Sequence, residues 1–289
     1  MTSQAPGNIG PYRLLNVVHT SQTCKIWQAY DDAKQRKVGI KTLRDEYRKN
    51  REQIGYLRWE YTVGGKLRHP RLIEVITFDS DRGCPYVAME WFQAPNMKHW
   101  IRQGTEEIAH LLPKVVEQAA EGPGCMHTAG WVHRDVKPDN YLVAENGTVK
   151  LIDFALAQRS RRGLSKLFAP KSKVQGTKSY IAPEQIRGSA VDQRADIYSF
   201  GCTIHELFAG KPPFTGNSPN ELLKKHLKAS PPSLEGLNEN IAPGFAQLVR
   251  SCLAKDPASR PDSFEDFIVA LRMNRVFKHP PRPPETAES

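Results

Sequence analysis

The stretch His133-Arg134-Asp135-Val136-Lys137-Pro138-Asp139-Asn140 crowds acid, base and amide side chains into eight residues around a proline. Proline lacks a backbone donor and disrupts a helix interior, so the stretch reads as a rigid loop presenting Asp135, Lys137 and Asn140 to one place. Taken alone, eight such polar residues read as a charged surface turn. The rest of the chain decides between the two readings.

On the C-terminal side, 141–143 and 149–152 read as strand-turn-strand, and Asp153-Phe154-Ala155 follows, 18 residues after Asp135. Further on come Gly176-Thr177, Tyr180, Ala182-Pro183-Glu184, Asp196 within a helical run, and Arg260 in Asp256-Pro257-Ala258-Ser259-Arg260-Pro261. On the N-terminal side, Val38-Gly39-Ile40-Lys41 reads as a strand. Ile54, Leu57, Tyr61 and Gly64 at helical spacing predict a helix over 51–67, ended by His69-Pro70. That helix offers Glu60, with Glu52 as a second candidate, to Lys41.

Length and composition bound the answer. The 289 residues suffice for one large domain or two lobes, and 39% hydrophobic content with mixed charge fits a globular chain. No apolar run reaches the roughly 18 residues of a membrane span, and 1–10 lacks the apolar segment of a secretion signal. The net charge of +10 admits an anionic partner, but no zinc-finger or aromatic RNA-binding signature accompanies it, so no nucleic-acid partner is expected. The five cysteines (Cys24, Cys84, Cys125, Cys202, Cys252) are scattered, odd in number and free of C-x-x-C spacing. They read as reduced thiols of a cytoplasmic protein.

In order, 1–10 reads as a loose leader. Alternation over 12–30 gives two antiparallel strands with a turn near 19–23, followed by strands at 38–41, 73–78 and 85–90. After Glu90 helical patterns dominate: 106–127, 193–209, 219–228, 245–253 and 264–272. Gly122-Pro123-Gly124 interrupts the first of these, predicting a kink or two helices. The Pro-rich end of the chain, 273–289, reads as a tail or linker.

These motifs, in this order, resemble the eukaryotic-type (Hanks-type) serine/threonine protein kinases over about 11–272. The eight-residue loop is similar to the family's H-R-D-x-x-x-x-N, Val38–Lys41 to V-A-I-K, Asp153-Phe154-Ala155 to D-F-G, and Ala182-Pro183-Glu184 to A-P-E. The resemblance implies an α+β, bilobal fold. Its parts are an antiparallel-sheet lobe with one regulatory helix (11–90), a hinge (90–96) and a mainly helical lobe (97–272). It implies ATP and Mg²⁺ as cofactors and a protein substrate. Asp135, Lys137 and Asn140 take catalytic roles: Asp135 accepts the proton of the attacking hydroxyl and Lys137 neutralises the transferring phosphoryl group. Lys41, held by Glu60, grips phosphate. Asp153 and Asn140 hold the metal. Val18, Ile26, Met89, Glu90, Phe92 and Leu142 complete the nucleotide-binding set. Asp196 braces the catalytic loop and Arg260 pairs with Glu184, both structural roles.

The pattern departs from the family in two places. His19, Ser21 and Cys24 stand where the glycine-rich loop has glycines, which predicts hindered approach of backbone N–H groups to phosphate, with His19, Ser21 or Thr23 as substitute donors. Ala155 replaces the glycine of D-F-G and predicts a restricted Asp153, whereas Gly39 for alanine predicts a slightly larger adenine pocket. The departures leave a pseudokinase, the same fold used as a binding or allosteric module, as the alternative. A small-molecule kinase ranks lower, because 176–184 resembles a peptide-docking segment. Between Arg159 and Lys178 lie seven basic residues (Arg159, Arg161, Arg162, Lys166, Lys171, Lys173, Lys178) and no acid. The expectations there are a solvated loop, a phosphorylation switch on Ser160, Ser165, Ser172, Thr177 or Ser179 reached by autophosphorylation (with Thr177 expected to contact Asp135 and Lys137 rather than to carry the phosphate), or recognition of an acidic substrate.

Overall fold

The computed structural model describes residues 7–160 and 176–283. The expectations placed on Arg161, Arg162, Ser165, Lys166, Lys171, Ser172 and Lys173 lie outside the described residues. The chain divides into two compact units, one running to Gln93 and including Asp153–Ala155, the other holding Ala94–Ile152 and the residues from Leu156 onward.

The first unit is a six-stranded antiparallel sheet with one α-helix. Its strands are β1 (Asn8–Ile9), β2 (Tyr12–Thr20), β3 (Cys24–Asp31), β4 (Arg36–Leu43), β5 (Val75–Asp81) and β6 (Cys84–Glu90), in the order β1-β2-β3-β4-β6-β5. Asn8 and Ile9, assigned from sequence to a loose leader, pair with Arg13 and Tyr12, and Ile9 is buried against Tyr12, Val38, Ile40 and Tyr86. Burying Ile9 favours holding the strand down. Helix α1 (Arg51–Gly64) starts at Asn50, whose side chain accepts from the N–H groups of Glu52 and Gln53. It buries Leu57, Glu60, Val63 and Gly64, while Tyr61, placed by periodicity on the core face, is exposed. A carboxylate replaces an aromatic on the inner face because Lys41 is there to meet it. Gly64 has no room for a side chain: a Cβ there would lie 2.5 Å from Val75 and 2.6 Å from Phe154.

The second unit is mainly helical. Its helices are α2 (Met97–Gln103), α3 (Leu112–Thr128), α4 (Pro183–Ile186), α5 (Arg194–Ala209), α6 (Pro219–Lys228), α7 (Leu234–Leu237), α8 (Pro243–Cys252) and α9 (Phe264–Met273). Its strands are β7 (Trp131–Val132), β8 (Tyr141–Val143), β9 (Val149–Leu151) and β10 (Gln158–Arg159), paired β7 with β10 and β8 with β9. The helical pattern read over 106–127 is in fact a 3-10 turn, Ala109–Leu111, followed by α3. Pro123 lies inside α3, which continues through it. At Gly124 a Cβ would stand 3.2 Å from the Cβ of Phe264, so the absent side chain lets α9 approach α3 closely. Short helices α2, α4 and α7 carry too few turns for periodicity to reveal them.

Helix α5 is the axis of this unit, buried from Ala195 to Phe208. Phe200 meets Phe264 and Phe267 edge-on at 5.2 and 5.1 Å. Beyond α9, Val276 and Phe277 are buried, and Lys278 and His279 hydrogen-bond with Asn240. Residues 276–279 are therefore anchored rather than a free tail.

His226 on α6 is fully buried, its Nδ1 3.0 Å from the Tyr198 hydroxyl. Lys255 donates to the same hydroxyl at 3.2 Å. Burial, with Lys255 adding to it, pushes the His226 pKa down to about 4. The unfolded chain therefore binds a proton between about pH 6.5 and 4 that the folded chain refuses. Stability is fully present above pH 6.5 and declines as pH falls to about 4, by up to about 1 kcal/mol per unit. Chemical denaturation across this window reads that slope, and His226→Gln flattens it.

Candidate active site

In the first unit, β3 and β4 pair Ile26 with Lys41, and β6 brings Val87 opposite Lys41 on the other side. The Lys41 ammonium reaches Glu60 Oε2 at 2.8 Å and Asp153 Oδ1 at 3.3 Å. Burial alone would lower the Lys41 pKa, but attraction to Asp153 and Glu60 outweighs it and the net shift is upward. The Glu60 side chain is 2% exposed, and burial raises its pKa against the pull of Lys41. Glu52, the second candidate partner, sits exposed in the first turn of α1 and accepts from Tyr56 instead.

Asp153 takes a left-handed backbone with φ 67°, a conformation that costs a non-glycine residue strain. Ala155 is not among the residues with positive φ. The left-handed residue of this segment is Asp153 itself, and the Ala155 N–H donates to Asp153 Oδ1 at 3.3 Å.

The turn between β2 and β3 closes on itself. The Ser21 N–H donates to the Cys24 carbonyl at 2.9 Å, and the Cys24 N–H donates to Ser21 Oγ at 3.0 Å. Both N–H groups and the Ser21 hydroxyl are engaged within the turn, so Ser21 is not the free donor expected from sequence. Val18, exposed, falls at a register break between Val17 and His19. Gly39 pairs with Met89, and a Cβ at 39 would stand 3.1 Å from Met89 Cγ. The room the glycine leaves is taken by that methionine rather than added to a pocket. Glu90 accepts the Glu74 N–H at 2.8 Å, and Phe92 lies just past the end of β6.

In the second unit the loop 133–140 is held from beneath by α5. Asp196, with no exposed surface, accepts from the N–H groups of His133 and Arg134 at 2.7 Å each and from His127 Nε2 at 2.8 Å. Burial would raise its pKa, yet His127 and these backbone donors take it below the ordinary value. Arg134 has φ 69°, and the two hydrogen bonds on either side of that bend hold it.

On this frame Asp135 Oδ2 meets Lys137 Nζ at 2.6 Å and Asn140 Nδ2 at 3.2 Å. Asn140 Nδ2 also donates to the Asp135 carbonyl at 2.8 Å, which leaves the Asn140 amide oxygen turned to other uses. Thr177 donates its N–H (3.1 Å) and hydroxyl (3.0 Å) to Asp135 Oδ1, and Lys137 reaches that hydroxyl at 2.8 Å. Gly176, with φ 109°, passes so near the loop that a Cβ would meet the Arg134 carbonyl at 3.0 Å. Leu142 lies on β8 and bridges to Asn96. Glu184 and Arg260 form a buried two-point ion pair at 2.8 and 2.9 Å, and Arg260 also holds the Arg194 carbonyl.

Sequence reading missed His127 and Gln185. The first bonds Asp196 and the second donates to the Arg134 carbonyl at 3.5 Å. No spacing ties either to its partner, since each contact spans 50 or more residues of chain.

Asp196→Asn keeps the shape but places an amide NH₂ against donors. It costs about 3 kcal/mol in urea unfolding, because a buried backbone N–H loses its charged acceptor. Arg260→Lys breaks the two-point contact with Glu184 and costs about 2 kcal/mol in the same measurement.

The chain is similar to known proteins over most of its length. The family model of the protein kinase domain matches residues 15–279. A probable serine/threonine-protein kinase of Clostridium perfringens is 31% identical over 271 residues, covering 93% of this chain and 38% of that protein. Serine/threonine-protein kinase PknA of Mycobacterium tuberculosis is 32% identical over 286 residues, covering 96% of this chain and 64% of PknA. The chain thus spans less than two-thirds of the length of these relatives. The crystal structure of a point mutant of the Mycobacterium tuberculosis PknI kinase domain superposes with a TM-score of 0.69 at 22% identity, covering 94% of this chain and 99% of that one. The chain belongs to the protein kinase domain family.

Proposed function

We propose that this chain transfers the γ-phosphoryl group of ATP to a serine or threonine hydroxyl of a protein. The observation that carries the reading is the loop 133–140, in which Asp196 fixes the backbone and Asp135, Lys137 and Asn140 are linked to one another by hydrogen bonds. Asp135 orients the attacking hydroxyl and takes its proton. That a carboxylate so placed accepts from an alcohol is illustrated by Thr177, whose hydroxyl rests on Asp135 Oδ1. Lys137, already bonded to both groups, offers its positive charge to the phosphoryl group in transfer.

Lys41, kept charged by Glu60 and Asp153, is suited to phosphate oxygens. The family uses ATP with a divalent metal, and magnesium is the ion proposed here. The oxygens this chain offers fit a hard cation: the Asp153 carboxylate, 37% exposed, in the first unit and the Asn140 amide oxygen in the second. When bound, the ion neutralises the nucleotide's phosphate charge. Val18, Ile26, Met89, Glu90, Phe92 and Leu142 are proposed to line the nucleotide.

The same reading extends to regulation and setting. Arg134 is buried with its Nε lacking a hydrogen-bond partner among the described residues, which supports a phosphate reaching it after autophosphorylation. An acidic stretch in the substrate is the matching expectation for the basic residues between Arg159 and Lys178. A cytoplasmic setting accords with five free cysteines. No helix among the described residues is long and apolar enough to cross a membrane.

The pseudokinase alternative draws on the turn at 21–24, whose Ser21 and Cys24 N–H groups already have acceptors. Phosphoryl transfer to itself and to a generic basic protein separates the two. Asp135→Asn lowers the rate by about 10³-fold while leaving the thermal shift produced by ATP and magnesium in place. Absence of transfer together with absence of any such shift in the wild-type chain would overturn the kinase reading.

A further inference from the structure

Three residues distant in sequence meet beneath the segment that carries Thr177. Glu206 on α5 accepts from the Tyr180 hydroxyl at 2.5 Å through one oxygen, and Lys98 on α2 pairs with the other. Lys98 also lies 3.5 Å from the Tyr180 hydroxyl. The Glu206 side chain is 2% exposed and that of Lys98 22%. The lysine is therefore the member of the group that stands between the carboxylate and solvent.

Tyr180 ties this group to the acceptor end of the chemistry. Its N–H closes a turn on the Thr177 carbonyl at 2.9 Å, and Thr177 rests on Asp135. Its own carbonyl is held by Ser199 of α5 at 2.7 Å. Burial first, then Glu206 and Asp139, push the Tyr180 hydroxyl well above its ordinary pKa, so two carboxylates act on this spot. A buried carboxylate linked through Tyr180 and Thr177 to Asp135 is a strong attractor for a cation. In this chain the cation comes from within.

We propose that Lys98 is a specificity-determining residue: it fills, from inside the chain, the position at Glu206 that a basic side chain of a substrate protein would otherwise enter. The inference rests on the kinase reading above. With Lys98 in place, a basic residue beside the acceptor gains nothing at Glu206. Without it, the carboxylate opens to the surface and an arginine or lysine of the substrate becomes its partner.

Two measurements on the full chain test this. In the first, acceptor peptides differing only by arginine or alanine within three residues of the acceptor are compared. The wild type distinguishes them by less than twofold. Lys98→Ala favours the arginine peptide by about tenfold in kcat/KM, and Glu206→Gln in that background removes the preference. Lys98→Gln, which keeps a hydrogen-bond donor for Glu206 but no charge, shows the preference as well and serves should Lys98→Ala not fold. The second measurement needs no catalysis. Lys98→Ala melts about 5–10 °C lower than the wild type, and ethylammonium chloride restores 2 °C or more beyond an equal concentration of sodium chloride. Neither the wild type nor the double variant responds in this way.

A folded Lys98→Ala or Lys98→Gln chain with wild-type peptide preference and no ethylammonium-specific recovery would overturn the proposal. So would an arginine preference that survives Glu206→Gln but disappears with Asp139→Asn, since the cation would then be read by Asp139. If no variant transfers phosphate, the kinase reading fails, and the ethylammonium response still reports on the cation position at Glu206.

Discussion

A carboxylate without solvent contact must be met by donors or it will not stay ionised. Asp196 is met by three, and two of them are the backbone N–H groups of His133 and Arg134. This one interaction fixes the start of the loop 133–140, including the left-handed turn at Arg134. Asp135, Lys137 and Asn140 follow within six residues, so their relative positions inherit the geometry set at Asp196. The cost of burying the charge is offset by the hydrogen bonds it collects, and losing any of them leaves a buried donor or acceptor stranded.

The first unit solves a related problem with side chains alone. Lys41, Glu60 and Asp153 come from a strand, a helix and a short segment far along the chain. Lys41 and Glu60 would each be unfavourable to bury alone, and with the more exposed Asp153 they keep the lysine charged. Gly64, pressed between Val75 and Phe154, shows how closely α1 must sit for Glu60 to reach. The strained backbone at Asp153 belongs to the same arrangement, since the carboxylate it carries faces Lys41.

Much of this was legible in the sequence. The loop 133–140, the Lys41–Glu60 pairing and the Arg260–Glu184 pairing could be proposed from motif order. Long elements with a clear period, such as α5 and α6, also emerged close to their final bounds, whereas β4 extends two residues past the predicted strand at each end. Less accessible were features that depend on what lies opposite. Tyr61 fits the helical period of α1, but the inner face is completed by Glu60 and Val63. Gly39 suggests added room until Met89 is seen to occupy it. Gly122-Pro123-Gly124 suggests a kink or two helices, and the structure has one helix, α3, through it, with Gly124 against α9. The first strand and the anchoring of Val276 and Phe277 were invisible because two or three buried residues carry no periodic signal.

The sequence by itself determined which chemical groups this protein has and in what order along the chain. Local spacing constrains strands, helices and the reach of neighbouring side chains, and family motifs are spelled in that local alphabet. Tertiary structure alone decided which of those groups meet. His127 with Asp196, Gln185 with Arg134, and Lys98 with Glu206 and Tyr180 each join residues 50 or more positions apart. Such contacts leave no mark on local pattern, because burial and hydrogen-bond satisfaction are properties of the packed chain. The closed turn at Ser21 and Cys24 shows that even a four-residue stretch can be misread when the acceptors available to its N–H groups are known only after folding.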